Sequence, residues 1–267
     1  MSSAPSAAGL LALAVGIASP VTAHDTWLLP VRFELPVGGT VEAGLTSGMR
    51  FPEPESAVAA DRLAAASLRV GGRVVKLEPS PAGTAALHLS AAAPAAGVAA
   101  LWVATRPRTL SLNPAQVREY LKEIGASKAV ESRWRRQQQW RETYAKLAKA
   151  YVRVGDAAGD RSWEEPVGLE LEIVPLDDPT TLRPGLPFRV RVLRAGRPLA
   201  GFVLSAVSVG SRSPIMRTTA ADGGVAFEAS RPGPWLLRGT LIEESAAPEA
   251  DWQSLFTTLT IAVQPPP

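Results

Sequence analysis

Proline and glycine recur every few residues along most of this chain, and this spacing limits what it can fold into. The 267 residues include 24 prolines and 22 glycines, yet residues 113–153 hold only Pro114 and Gly125. Proline and glycine mark turns and interrupt helices. The chain is therefore predicted to be mainly β, with short strands, many turns and one helical segment.

Two stretches outside the helical segment are predicted to be β domains. Residues 24–112 contain strand-like runs separated by turn signals such as Gly71-Gly72. Residues 166–264 return to this pattern, and Asp222-Gly223-Gly224 is a hairpin signal. About seven strands in about 100 residues are typical of an immunoglobulin-like sandwich. The predicted fold class is therefore mainly β, with two immunoglobulin-like β-sandwich domains.

Residues 113–155 are predicted to form a helical hairpin between the two domains. Asn113-Pro114 is a typical helix start, an N-cap residue followed by proline at the first helical position. Gly125 is expected to end this first helix. A second, longer helix is predicted over Lys128–Val152, with a basic face that is either solvated or holds an anion.

The first 23 residues are predicted to be a cleaved signal peptide. They carry no charged residue, and an apolar run, Leu10–Ile17, precedes the small-residue pattern Val21-Thr22-Ala23 that signal peptidase cleaves. This run is shorter than the roughly 20 residues that a membrane-spanning helix needs. The mature protein is therefore expected to be exported to the periplasm, with no transmembrane segment.

Cleavage after Ala23 would make His24 the first residue of the mature chain. A free α-amine and an imidazole on one residue chelate a transition metal, and these donors suit Ni, Co or Cu better than Ca or Mg. The chain has only two histidines. A two-histidine site would need His88 as its second arm, whereas Asp25, Glu243 or Glu244 are the carboxylates predicted to complete a site.

Composition excludes several other functions. A net charge of +3 on a chain of this length is a weak field that does not indicate nucleic-acid binding. The absence of cysteine excludes disulfides, thiolate zinc sites and cysteine nucleophiles. The chain has neither a Gly-x-Ser-x-Gly motif nor a phosphate-binding glycine loop. It is therefore predicted to be non-catalytic.

Four groups of motifs occur in a fixed order along the chain. They are Ala23–Leu28; Glu142–Ala150 with Val152–Gly155; Gly168–Pro175 with Pro198–Gly201; and Ala221–Phe227 with Pro232–Arg238 and Asp251-Trp252. Together they resemble the exported bacterial DUF4198 family, also labelled as NikM-like nickel-transport components. The resemblance covers nearly the whole chain after residue 23.

This resemblance implies a periplasmic protein linked to nickel or cobalt uptake, with a metal permease or another envelope protein as its partner. Members of the family often carry a histidine shortly after the Trp-Leu-Leu-Arg strand. Here that stretch is Gly239-Thr240-Leu241-Ile242, so this chain lacks that candidate ligand.

The residues and the resemblance together predict a transition-metal binding or uptake accessory of the periplasm. The candidate ligands are His24, Asp25, His88 and Glu244. The alternative is a metal-free module of the envelope that recognises a protein or a glycan.

Overall fold

The computed structural model describes residues 24–80, 83–137, 139–211 and 213–266. The predicted signal peptide, residues 1–23, lies outside the described residues. None of the helices in the described part of the chain has the length and apolar character needed to cross a membrane.

The first part of the chain forms ten strands, several of them short. They are β1 (Asp25–Pro30), β2 (Glu34–Leu35), β3 (Thr40–Gly48), β4 (Ser56–Ala57), β5 (Leu63–Val70), β6 (Arg73–Lys76), β7 (Glu78–Pro79), β8 (Leu87–Ala92), β9 (Gly97–Thr105) and β10 (Arg108–Ser111). A single 3₁₀ turn, Ala60–Arg62, precedes β5.

Two α-helices follow, α1 (Pro114–Glu123) and α2 (Lys128–Gln137). The Asn113 side chain accepts hydrogen bonds from the backbone N–H groups of Ala115 and Gln116, and the Gln116 side chain accepts one from the Asn113 N–H. This reciprocal capping box, together with Pro114, explains why α1 begins where the sequence predicts.

The remainder of the chain returns to β-structure. Its strands are β11 (Arg141–Val154), β12 (Leu171–Pro175), β13 (Pro187–Arg194), β14 (Arg197–Pro198), β15 (Val203–Ser208), β16 (Ile215–Thr218), β17 (Gly224–Glu228), β18 (Gly233–Glu244) and β19 (Trp252–Val263). A second 3₁₀ turn, Ser162–Glu164, lies between β11 and β12.

These strands form three sheets. The first has the order β1-β3-β8-β7, with β4 paired to β3, and the third has the order β12-β13-β14, with β17 paired to β13. The large second sheet has the order β16-β15-β18-β19-β11-β9-β5-β6, and β2 and β10 also pair with β11. The predicted fold class, mainly β with two packed sandwiches, is confirmed.

Strand β11 lies in the middle of the large sheet and has a buried face on each side. Leu147 and Tyr151 pack with the third sheet, whereas Ala148, Ala150 and Val152 pack with the first sheet. Successive side chains of a strand point to opposite faces. The first and third sheets therefore cover opposite faces of the large sheet, which both sandwiches share.

The prediction of a helix over Lys128–Val152, and so of a helical hairpin extending to residue 155, is wrong in its second half. The helical pair ends at Gln137, and residues 141–154 form β11. β11 pairs in parallel with β19 from Glu142↔Trp252 to Ala150↔Thr260. Pairing with neighbours far away in sequence outweighs the helix propensity of this alanine- and lysine-rich segment. The predicted domain bounds themselves stay a prediction.

The helical pair packs against β11 and β19 through an aromatic cluster. Trp140 stacks on Trp252 with ring centroids 4.8 Å apart. Below them, the buried Glu142 carboxylate accepts hydrogen bonds from the Tyr120 hydroxyl at 3.0 Å and the Trp140 indole N–H at 2.6 Å. Burial raises the pKa of Glu142, although these two donors partly oppose the shift. The carboxylate thus ties α1 to the large sheet.

Replacing Tyr120 with phenylalanine should lower the free energy of unfolding by about 1.5–3 kcal/mol at pH 8, because a buried carboxylate loses a donor. Because the folded-state pKa of Glu142 is raised, the carboxyl is neutral in both states below its unfolded value. The loss should therefore shrink near pH 4. Urea unfolding at both pH values tests this, with Tyr144→Phe in the same cluster as the matched control. An equal loss at both pH values would contradict it.

Candidate functional site

The first two candidate ligands, His24 and Asp25, are adjacent in the sequence and lie at the start of the first strand. His24 directly precedes β1, and Asp25 is the first residue of that strand, opposite Gly48 of β3. Burial raises the pKa of the Asp25 carboxyl, and the coulombic effects of Arg238, Lys146 and, least of the three, His24 oppose that shift. These two residues therefore form the centre of the candidate site.

Side chains from three neighbouring strands hold three successive residues at this position. Lys146 of β11 donates from Nζ to the His24 carbonyl oxygen at 2.6 Å. Arg238 of β18 forms an ion pair with the Asp25 carboxylate. Thr258 of β19 donates from Oγ1 to the Thr26 carbonyl oxygen at 2.7 Å. We refer to Lys146, Arg238 and Thr258 as the N-terminal clamp.

Burial shapes the charges of the clamp. Desolvation raises the pKa of Asp25, and the nearby Arg238, Lys146 and His24 oppose that shift. Desolvation also lowers the pKa of Lys146 to about 8, with Asp25 opposing and Arg62 adding to the shift. The ammonium group of Lys146 is still protonated at neutral pH and can donate to the His24 carbonyl.

His88, the predicted second histidine, lies away from this centre. It is exposed on β8, and its register partner in β3 is Gly44, which in turn pairs with Leu29 of β1. Asp25 pairs with Gly48, four residues along β3 from Gly44. Four residues of strand correspond to about 13 Å, and the two strand spacings from β1 to β8 add about 10 Å in the perpendicular direction. The structure does not bring His88 to His24.

Glu243 and Glu244 also lie elsewhere. Glu244 ends β18, six residues from Arg238, which corresponds to about 20 Å of strand. Its carboxylate pairs with Arg133 of α2 at 2.7 Å. Glu243 pairs with Arg194 at 2.9 Å. Both carboxylates therefore belong to ion pairs that connect strands and helices, and neither joins the His24 centre.

Within residues 24–80, 83–137, 139–211 and 213–266, no group of three or more His, Asp or Glu side chains is arranged to hold a metal ion. The two candidate donors at the start of β1, His24 and Asp25, are adjacent in the sequence. An α-amine at residue 24 would be a third donor, and it depends on where the mature chain begins.

Two depressions open beside the Asp25–Arg238 ion pair. The larger, with a volume of about 320 Å³, lies between the loop Met49–Glu53 and the end of β15. The smaller, about 30 Å³, lies toward Ile124 at the end of α1. Both are lined by Asp25 and Arg238, so the centre is reached from the surface on two sides.

The sequence patterns did not single out the clamp residues. Lys146 and Arg238 are separated from their partners by 122 and 213 positions, and Thr258 by 232. Two of the three nevertheless fall inside motifs that carry the family resemblance, Glu142–Ala150 and Pro232–Arg238. Polar residues within those motifs were the signal that could have identified them.

Comparison with known families now agrees with these motifs. The model of DUF4198, described as a domain of unknown function, matches residues 21–242. The chain belongs to the DUF4198 family. The matched region begins three residues before His24 and ends within β18, and so it includes Asp25, Lys146 and Arg238.

Solved structures give weaker likenesses to this DUF4198 protein. The adhesin InvE of Yersinia pseudotuberculosis is 13% identical with a TM-score of 0.25, over 88% of this chain and 58% of that chain. The Escherichia coli adhesin FdeC is 16% identical with a TM-score of 0.24, over 94% and 67%. Tandem Ig repeats of Dlar are 14% identical with a TM-score of 0.20, over 88% and 99%. No curated protein matches the chain. TM-scores this low identify no shared function.

Proposed function

We propose that this DUF4198 protein is an exported, non-catalytic protein of the periplasm that binds a transition-metal ion through its processed N-terminus. The observation that carries this proposal is the Lys146–His24 hydrogen bond of 2.6 Å. It fixes the residue at which cleavage after Ala23 would create a free amine. A role as an uptake accessory, with a permease or other envelope protein as partner, follows from the family resemblance.

The donors at this position fit a transition metal. Lys146 holds the His24 carbonyl oxygen, and the α-amine and the imidazole are the two nitrogen donors that a chain beginning at His24 would offer to a metal. Nitrogen donors of this kind favour Cu, Ni or Co. Asp25 is bound by Arg238, so its carboxylate would lie outside the coordination shell. The metal, when bound, would sit at the chain terminus beside the two depressions.

Calorimetry of Cu(II) or Ni(II) binding tests the proposal. Protein beginning at His24 should bind about one ion per chain, with affinity that falls as the pH is lowered, because protons compete with the metal for both nitrogen donors. His24→Ala should abolish this binding. A form with one additional N-terminal methionine should bind far more weakly, because its amine no longer belongs to the histidine. Equal affinity of the three proteins would contradict the proposal.

A metal-free envelope module that recognises a protein or glycan is the second candidate. The observation in its favour is the depression of about 320 Å³, whose lining includes Arg50, Phe51, Ser211 and Ser213. Absence of metal binding by protein that begins at His24 would favour this candidate.

A further inference from the structure

The three clamp side chains project from one face of three adjacent strands. Ala148 of β11 is opposite Thr258 of β19, and Thr258 is opposite Arg238 of β18. Lys146 lies two residues before Ala148, and residues two apart share a face of a strand. The large sheet therefore presents Lys146, Thr258 and Arg238 as a single surface beneath the first three residues of the described chain.

Two of the three clamp side chains, Lys146 and Thr258, are fixed by their surroundings as well as by their partners. The Lys146 ammonium lies 5.5 Å from the Phe256 ring centroid and 6.0 Å from that of Tyr144. Thr258 is 2% exposed, and Thr26, whose carbonyl it binds, is 1% exposed. Because the sheet is rigid and the contacts are buried, the backbone of residues 24–26 has little freedom to rearrange.

We infer that Lys146 and Arg238 are positioning residues that preorganise the His24 chelate. This inference rests on the proposed function. Lys146 holds the carbonyl of His24, so that the amine and the imidazole extend from a fixed Cα. Arg238 forms an ion pair with the Asp25 carboxylate, which would keep that carboxylate from competing for a bound metal. An ordered ligand residue loses less conformational entropy on binding, which increases affinity.

The clamped protein and a free peptide of the same sequence should differ in their affinity for Cu(II). The hexapeptide of residues 24–29 carries the same amine, imidazole and carboxylate, but it is unconstrained, and its Asp carboxylate is free to coordinate. The clamped protein should bind Cu(II) about tenfold more tightly than this peptide, which is the lower end of what partners outside the coordination shell contribute. The Cu(II) electron paramagnetic resonance spectra of protein and peptide should also differ.

Lys146→Met tests the role of the clamp, because methionine keeps the apolar stem and loses the donor. In protein beginning at His24, this variant should lose about tenfold in Cu(II) affinity, and its paramagnetic resonance spectrum should approach that of the peptide. Arg238→Met should shift the spectrum in the same direction. Lys146→Arg, which keeps a donor, should restore most of the affinity. Lys128→Met, an exposed lysine on α2, is the matched control.

The outcomes distinguish this inference from the function on which it rests. If the protein beginning at His24 binds no Cu(II), the proposed function fails, and the inference fails with it. If that protein binds Cu(II) through His24 but Lys146→Met binds as tightly with an unchanged spectrum, only the inference is overturned. Thermal unfolding by circular dichroism shows whether each variant is folded, and the comparison of Lys146→Met with Lys146→Arg decides the matter if Arg238→Met does not fold.

Discussion

Replacing Glu172 with alanine should lower the free energy of unfolding by about 3–5 kcal/mol, the cost of breaking a buried ion pair. Glu172 of β12 pairs with Lys149 of β11 at 2.6 Å, and each side chain is 1% exposed. The substitution would leave the ammonium of Lys149 buried without its carboxylate. The unpaired ammonium accounts for most of this loss, because a charge in the protein interior has given up its hydration and would have no carboxylate to replace it.

The Glu172 carboxylate also accepts hydrogen bonds from backbone N–H groups. It accepts hydrogen bonds from the N–H groups of Val167, Gly168 and Leu169 at 2.8, 2.9 and 3.1 Å. Alanine would leave these three donors without their acceptor. Lys149→Met should cost less than Glu172→Ala, since the carboxylate would keep its three backbone donors. The double variant should cost less than the sum of the two single variants, because the residues interact directly.

The exposed pair Lys76–Glu78 provides the matched control. Its 2.8 Å separation is nearly the same, but its side chains are 70% and 63% exposed. Exposed pairs contribute about 0–1 kcal/mol, so Glu78→Ala should have little effect. Urea unfolding of these four variants and of the unsubstituted protein measures the change in the free energy of unfolding that each substitution causes. If Glu172→Ala destabilises the protein no more than Glu78→Ala does, the buried pair does not hold the two sandwich halves together.

Glu172 also shows where periodicity misleads. The alternation of Val167–Val174 predicts Leu169, Leu171 and Ile173 on the buried face, with Glu170 and Glu172 on the outer face. The three apolar residues are buried as expected, and Glu170 is half exposed and paired with Arg194. Glu172 is buried as well, because a lysine from a distant strand covers it. Alternation of polar and apolar residues identifies the apolar face of a strand, but it does not show whether another part of the chain covers the polar face.

β11 illustrates a second limit. The hairpin signals and the Asn113 cap depend on neighbouring residues, so they are readable from the sequence. Residues 147–152 of β11 are buried on both faces, with Leu147 and Tyr151 on one and Ala148 and Ala150 on the other. Such a strand lacks the polar–apolar alternation that marks a half-exposed one. Its alanine and lysine content then favours a helix, and only the pairing with β19 decides the outcome.

The candidate site was predictable in part. His24 and Asp25 stand out from the sequence because they follow a cleavage pattern. The clamp comes from three strands that the fold assembles, and His88 and Glu244 are placed by the same fold on other parts of the surface. Residues adjacent in the chain were therefore identified, whereas contacts between distant segments needed the structure.

The mature chain should begin at His24, and metal binding should depend on this start. Val21-Thr22-Ala23 supplies the cleavage pattern, and the clamp engages the residue that follows. If the chain begins one residue earlier or later, the free α-amine and the His24 imidazole no longer belong to the same residue. The affinity for Cu(II) should then fall by more than about 100-fold, because loss of a ligand costs more than loss of a partner outside the coordination shell.

Native mass spectrometry of the protein recovered from the periplasm, after expression of the full sequence and addition of one equivalent of Cu(II), measures both properties at once. The expected result is a chain whose mass corresponds to residues 24–267 and which carries one copper ion. The same measurement on His24→Ala should give the chain without copper. A mature chain that begins at any other residue, or one that begins at His24 and carries no metal, would contradict the proposed function.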